Sequence, residues 1–511
     1  MKTKLTKLHN ENKNCEMTEP VSGRQPVLAL LMRLLLAAVL VLPVFGAQAG
    51  VVFTTLYSFT GTNDGAFPYA GLVQGNDGYF YGTTSAGGTN GAGTVFKIST
   101  KGVLTSLYAF GSITNEAGVA LDGANPWGLV QSSDGYLYGT TYSGGTNGTV
   151  FGGYGTVFRI NTNGALTILY SFTGTNEGAY PYAGLVQGSD GSFYGTTSRG
   201  GTNEDGTVFK MSTNGALATL YDFGTVTDTY GSPLDGASHY AGLVQGNDGY
   251  FYGTTAGGGT NRGSGTVFKI STNGLFSSLY SFTGGNDGAY PEAGLVQGSD
   301  GNFYGTTSWD GTNSIGTVFR ISTNGALTSL YSFINGTGSQ ANGLVQGSDG
   351  NLYGTTCVDG YYFEFEQVFS YGAGTVFKIS TNGAYTSLYS FDTDNGTNGA
   401  NPQAGLVQGS DGNFYGTTSS GGTFTNQFGQ GCGTIFRLTI VPEPQLSIIP
   451  SGPYVILTWP TNAFVFTLQS STSLDSSASW STNSLAPVVI GGQNVVINPI
   501  SGTQMFFRLS Q

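Results

Sequence analysis

Apolar residues along this chain fall in short runs, not in long helical stripes. Phe80 to Thr84, Gly93 to Ile98 and Leu169 to Phe172 are rich in Val, Ile, Thr, Tyr and Phe, and Gly, Asn or Asp bounds them. That pattern predicts short strands joined by tight turns. The runs recur in a fixed order. Gly-Leu-Val-Gln begins at Gly71, Gly128, Gly184, Gly242, Gly294, Gly343 and Gly405, seven copies spaced 49 to 62 residues apart. Each copy leads into Phe/Leu-Tyr-Gly-Thr-Thr, then a Gly-Thr-Val-Phe-Lys/Arg-Ile type segment, then a Leu-Tyr-Ser-Phe type segment. A repeat of this length made of four strands predicts a four-stranded antiparallel meander, the unit of a propeller.

The turns carry their own chemistry. Gly188 to Gly191 reads Gly-Ser-Asp-Gly, which predicts a bulged hairpin between the first and second strands. Asn163-Gly164 and Asn324-Gly325 predict type I′ hairpins between the third and fourth. The ends of the array match each other. Val51 to Phe59 has the fourth-strand pattern but precedes the first Gly-Leu-Val-Gln, and the last copy stops after Gly433 to Leu438 without a fourth strand. The expected fold is therefore all-β: a seven-bladed β-propeller whose N-terminal strand closes the last blade. An open solenoid would need capping units, and none is legible.

Residues 441–511 break the pattern. Val441 to Pro444 reads as a linker. Val455 to Trp459, Phe464 to Gln469, Val488 to Ile490, Val495 to Ile497 and Phe506 to Leu509 read as strands of a small β-sandwich-like domain. At the other end, residues 1–49 read as a signal peptide. Leu34 to Phe45 is an apolar run behind Arg33, Ala47-Gln48-Ala49 suits a cleavage site, and Met32 would make the more compact start. No later segment is long and apolar enough to span a membrane. The expected organisation is 1–49 leader, 50–440 propeller, 441–511 linker and β domain, with the product secreted or on the cell surface.

Composition sharpens this picture. Glycine is 85 of 511 residues, yet 30 Tyr and 33 Phe supply the apolar area a disordered Gly-rich chain lacks. From Gly50 onward there are 11 Lys and Arg (17 less six) against 26 Asp and Glu (29 less three), a net charge of about −15. An acidic surface excludes nucleic acid as a partner, which needs a basic footprint. Over the same stretch His239 is the single histidine, so histidine can supply at most one metal ligand or one base. Cys357 and Cys432 could pair or stay as buried thiols.

The blocks Gly-Leu-Val-Gln-Gly-Ser-Asp-Gly-Asn-Phe-Tyr-Gly-Thr-Thr and Gly-Thr-Val-Phe-Lys-Ile-Ser-Thr-Asn-Gly resemble the GloVer tandem-repeat family, the "choice-of-anchor" exported bacterial proteins. The likeness covers about 51 to 440. It implies export with surface attachment or release, and it brings no established activity or catalytic residues. Val441 to Pro444 resembles the start of a PEP-type sorting signal, but no transmembrane run or basic cluster follows.

Candidate sites fall at the end of the blades where second-to-third and fourth-to-first connections meet. Loops that converge on a rigid scaffold are common binding sites. Asp64, Glu177, Asp235 and Asp287 lie seven residues before the Gly of Gly-Leu-Val-Gln, and Asp122 lies six before it. Two readings stand: solvated turns, or an oxygen-rich ring at the channel mouth that suits Ca²⁺, the one cofactor considered. The long connection Cys357 to Ala373 of blade six holds Tyr361, Tyr362, Phe363, Glu364, Phe365 and Glu366. With Trp127 and Trp309 on the same face, it could stack a sugar or peptide, or fold onto its own blade. Asp77, Asp190 and Asp300 recur in the opposite turns, where Asp bonds its own backbone. The expected function is a non-enzymatic binding or surface-display module for a glycan or a surface protein. The alternative is a glycan-active hydrolase using paired carboxylates, for which Glu364 with Asp287 or Asp235 is a candidate pair.

Overall fold

The computed structural model describes residues 50–510, except 148–151, 262, 314, 359, 365–366, 372, 392–395, 427–428, 442–444, 462–465, 474–478, 484 and 500–504. Residues 360–364 and 367–371 are described by their backbone. The leader assigned to 1–49 and the linker at 442–444 thus lie outside the described residues. The chain divides into two units, one spanning Phe53–Thr439 and the other containing the C-terminal strands. Among the described residues there is no helix, and none therefore long and apolar enough to cross a membrane.

Seven antiparallel sheets built on the Gly-Leu-Val-Gln copies make up the larger unit. In the first, Val73–Gln74, Phe80–Thr84, Thr94–Ile98 and Leu104–Ala109 pair in chain order. The sixth gains a fifth strand, Ser339–Ala341. In the seventh the chain supplies three strands, Val407–Gln408, Phe414–Thr418 and Thr434–Val441, and the fourth is Gly50–Ser58 from the opposite end of the array.

The second strands are buried along their whole length, because each sheet packs on both faces. The glycine in each has a steric cause. Gly82 pairs with Phe96, and a Cβ at Gly82 would lie 2.6 Å from the Phe96 ring. The aromatic ring covers the glycine and fills the space a side chain would have taken.

Neighbouring sheets are joined by contacts that repeat with the sequence. Tyr194 stacks on Phe251 of the next sheet at 3.9 Å, Tyr252 on Phe303 at 4.0 Å, and Tyr415 of the seventh on Phe80 of the first at 4.1 Å. The first threonine of each Gly-Thr-Thr does the same with hydrogen bonds. Thr140 donates to the Ala183 carbonyl, Thr196 to that of Ala241, and Thr417 to that of Ala70. Glutamines of the first strands add a third set. Asn76 N donates to Gln131, Ser189 N to Gln245, and Ser410 N to Gln74.

Both hairpin turns of a repeat have one geometry. Gly191 N bonds the Gly188 carbonyl with Gly191 at φ 80°, as the sequence predicts. Gly164 N likewise bonds the Asn161 carbonyl, with Gly164 at φ 92°. Asn163 does not have positive φ, so this turn is a type I turn ending in a left-handed glycine, and the type I′ expectation is corrected. The reason is local: Asn161 Oδ1 accepts from both Asn163 N and Ala165 N, which holds Asn163 right-handed.

In the smaller unit, Ser447–Ser451, Tyr454–Pro460, Gln493–Pro499 and Val488–Ile490 form one sheet, and Thr467–Ser471, Ser481–Thr482 and Phe506–Ser510 another. Val455, Leu457, Trp459, Leu468, Val496 and Phe507 make its core.

Candidate functional site

A cavity of about 680 Å³ is lined by residues from all seven repeat sheets. Its narrow part is made by the glycines of Gly-Leu-Val-Gln. A Cβ on Gly405 would lie 2.7 Å from the Gly343 carbonyl oxygen, and one on Gly184 would lie 3.1 Å from the Gly128 backbone. Only glycine permits backbones this close, which is the physical reason the motif opens with it.

The rim above these glycines is set by a strained residue in each repeat. Phe67, Asn125, Tyr180, Ser238, Tyr290, Gln340 and Asn401 all have φ between 49° and 58°. Left-handed backbone costs a non-glycine residue on the order of 1 kcal/mol and persists where surroundings fix it. Here they do. Tyr180 N donates to the Tyr154 carbonyl of the preceding sheet (2.8 Å), and the Tyr180 carbonyl accepts from Ser198 N (3.1 Å).

Two positions after each strained residue comes a side chain on the cavity wall. In chain order these are Tyr69, Trp127, Tyr182, Tyr240, Glu292, Asn342 and Gln403. The scaffold repeats, but this position does not. Four consecutive repeats present aromatic rings in contact: Tyr69–Trp127 at 6.1 Å, Trp127–Tyr182 at 4.3 Å and Tyr182–Tyr240 at 5.2 Å between centroids. Tyr142 meets Tyr182 edge-on at 5.2 Å. Burial pushes the phenols of Tyr69 and Tyr182 above their ordinary range, with Cys357 and neighbouring tyrosines adding smaller effects. The other three repeats present polar groups. Glu292 accepts from Ser308 Oγ at 2.8 Å, and Asn342 Nδ2 donates to the Pro402 carbonyl at 2.7 Å. Arg199, exposed, also lines the wall.

Of the residues singled out from sequence, Trp127 is on this wall and Trp309 is not. Tyr361, Tyr362, Phe363 and Glu364 lie on the strand Gly360–Glu364, which pairs with Gln367–Tyr371 in a separate hairpin. Phe365 and Glu366 lie outside the described residues. The hairpin leaves the sixth sheet one residue beyond Val358, and Cys357 beside it lines the cavity. No disulfide joins Cys357 to Cys432, which is buried.

The acidic residues do not gather at the mouth, and that expectation is corrected. Each is bound within its own loop. Asp64 accepts from Tyr57 and from Thr60 N and Oγ1, and Asp122 from Tyr108, Gly111 N and Ser112. Glu177 accepts from Thr173, and Asp287 from Tyr280 and Thr283. Asp235, 3% exposed, accepts from Tyr221, Gly224 N and Thr225. Among the described residues no three His, Cys, Asp or Glu side chains come together to hold a metal ion. Asp77, Asp190 and Asp300 cap their turns as read, each also accepting from the tyrosine four residues on.

His239 takes the place that Pro68, Pro126, Pro181, Pro291 and Pro402 hold in other repeats. It is fully buried, its ring centroid 3.8 Å from that of Phe223, and neither ring nitrogen makes a well-formed hydrogen bond. Burial lowers its pKa to about 3, against a weak opposing pull from the Asp205 backbone. It is packing, away from the cavity wall.

Residues 44–233 and 224–426 match the Gloeobacter/Verrucomicrobia repeat family in two successive stretches. No curated protein sequence matches the chain. Among solved structures it is similar to an ulvan lyase, a polysaccharide lyase, at 12% identity and TM-score 0.43, over 77% of this chain and 96% of that one. It is also similar to a luciferin-regenerating enzyme (12%, TM-score 0.37, 61% and 91%). A protein of unknown function from Dyadobacter fermentans is a third (11%, TM-score 0.39, 76% and 99%). Similarities this loose bear on neither mechanism nor ligand.

Proposed function

We propose that this chain, which belongs to the Gloeobacter/Verrucomicrobia repeat family, is an exported, closed seven-bladed propeller that acts as a non-enzymatic binding or surface-display module for a glycan or a protein. Closure is supported by contacts that run from each sheet to the next and return from the seventh to the first, at Tyr415–Phe80, Thr417–Ala70 and Ser410–Gln74. Closing the array also removes the open sheet edges that seven separate meanders would expose.

The observation that carries the binding reading is the rim. One backbone position, fixed seven times by the same strained turn, holds four contiguous aromatics and then three polar residues. Packing alone would favour one side chain throughout, as it does at the neighbouring glycine. The competing hydrolase reading needs two carboxyl groups flanking one bond. Glu292 is the one carboxylate among the described residues of the wall.

The full chain, exposed to a panel of polysaccharides and to cell-surface proteins, should retain a ligand without creating new chain ends. Tyr182→Ala should abolish retention and leave the melting curve nearly unchanged. New reducing ends would favour the hydrolase, and retention indifferent to Tyr182→Ala would move the site off the rim.

A further inference from the structure

Resting on that reading of the rim, we infer that the ligand is a neutral saccharide, held with one sugar face on the Trp127–Tyr182 arc and its hydroxyls turned to Glu292 and Gln403. Four features of the cavity carry this.

The aromatic arc is continuous. Trp127 and Tyr182 lie 4.3 Å apart with their planes 36° from parallel, and Tyr240 closes on Tyr182 at 71°. Trp127 and Tyr182 pack against one another at this distance, so what they offer the cavity is the apolar surface left outside that contact, extended by the 39% exposed ring of Tyr240. Such a surface takes the C–H groups of a sugar against it.

The opposite arc carries groups that pair with hydroxyls. A carboxylate accepts two hydrogen bonds side by side, and a primary amide both donates and accepts. Adjacent sugar hydroxyls are donors and acceptors at that same spacing. Glu292 and Gln403 are both exposed to the cavity, so their capacity is not spent on packing. A ligand lacking hydroxyls would leave these groups desolvated and unpaired, at a cost that rejects it.

The charge of the wall balances. Arg199 and Glu292 are its charged side chains among the described residues, one of each sign. A strongly anionic or cationic ligand would meet one of them as a like charge. The size agrees as well. About 680 Å³ lies inside the range of small-ligand pockets, large enough for a short oligosaccharide end and too small for a folded protein surface.

The test is calorimetric titration of the full chain with neutral gluco-, manno-, xylo- and galacto-oligosaccharides. A digest of casein peptides serves as the comparison. Wild type should bind at least one oligosaccharide series. Trp127→Ala and Tyr182→Ala should weaken it roughly tenfold or more, as loss of a central aromatic anchor does. Glu292→Gln, which keeps shape and removes charge, should weaken it less while the fold stays intact. Tyr230→Ala, at a residue 93% exposed and off the wall, should bind as wild type does. If Trp127→Ala fails to fold, Glu292→Gln and Gln403→Ala carry the test. Absence of saccharide binding at millimolar concentration overturns the inference, as does saccharide binding that none of the wall variants alters. Peptide binding abolished by Tyr182→Ala, with no saccharide bound, would overturn the saccharide and leave the binding module standing.

Discussion

The ring of Phe53 lies flat on that of Tyr389, with centroids 3.9 Å apart and planes within 5° of parallel. The same stacking joins Tyr221 to Phe276 and Tyr331 to Tyr385, in each case from the outer strand of one sheet to the outer strand of the next. Phe53 thus occupies the place that a fourth strand of the seventh repeat itself would have filled. Phe53 is half-buried, so Phe53→Ala should cost about 1–3 kcal/mol, less than the loss at a fully buried Phe. Deleting Val51 to Phe59 should cost more, because it also bares the edge of the Thr434–Val441 strand. Denaturant midpoints check both. An unchanged midpoint in the deletion would mean the array does not depend on this strand.

Acid should expose the cost of burying His239. Its folded-state pKa is about 3 and the unfolded value is 6.5. Below pH 6.5 the unfolded chain therefore takes up a proton that the folded chain refuses, and stability falls as pH drops toward 3. Between pH 6.5 and 4 the loss from this residue is on the order of 3 kcal/mol. His239→Pro, which installs the residue other repeats carry, should flatten that part of the profile and leave stability above pH 7 nearly the same. Equal slopes for the two proteins between pH 4 and 6 would contradict this.

The carboxylates of the outer loops should behave as structural caps. Asp235→Ala leaves the Tyr221 hydroxyl and two backbone amides without their acceptor. The expected loss is about 2 kcal/mol or more. Millimolar Ca²⁺ should not move the melting temperature of the wild type, and a clear rise would reinstate a cation site.

Crowding at the cavity floor gives a fourth prediction. Gly405→Ala drives a methyl toward the Gly343 carbonyl oxygen, a backbone atom that cannot swing aside. The cost should be about 1–3 kcal/mol. Gly405 is not in the left-handed region, so this loss reports the clash without backbone strain, whereas Gly412→Ala, at φ 81° with nothing within 4 Å, reports strain without a clash.

Replacing Tyr361 to Tyr371 with Gly-Gly-Thr-Asn, the short form of the other repeats, removes a hairpin that, among the described residues, pairs only with itself. The melting temperature should stay within a few degrees. Ligand retention should drop if the hairpin walls the cavity, and a collapse of the fold would mean it belongs to the core of the sixth sheet.

The strands and their order were legible in the sequence because each is spelled the same way seven times. The turn chemistry was half legible. Glycine position announced the left-handed residue, but the side chain of Asn161 decided the turn type. The acidic residues were misread because sequence distance from a motif locates a loop and not the direction of its side chains. The spacing Thr60 to Asp64, Thr173 to Glu177 and Thr283 to Asp287 was the readable sign that these carboxylates fold back on their own loops. The rim was missed for the opposite reason. Tyr69, Tyr182 and Tyr240 look like ordinary strand aromatics, and their meeting depends on distances between repeats. What could have found them is the contrast between Glu292, Asn342 and Gln403 and the uniform residues on either side.

The borrowed strand of the seventh sheet has a consequence in time. Gly50–Ser58 is synthesised before the other strands of the repeat array, yet its partner Thr434–Val441 is the last of the array to emerge. At 5–20 residues per second, the ~380 residues between them take roughly 20 to 75 seconds to make. For that interval the first strand has no permanent neighbour, and the six complete sheets can assemble only as an arc with two unmatched ends. In the proposed closed ring, joining those ends is a late contact of very high sequence separation, and contacts of that kind form slowly. A chaperone that holds the first strand, or delivery of the unfolded chain across a membrane, would meet the same requirement: the ring waits on its earliest strand.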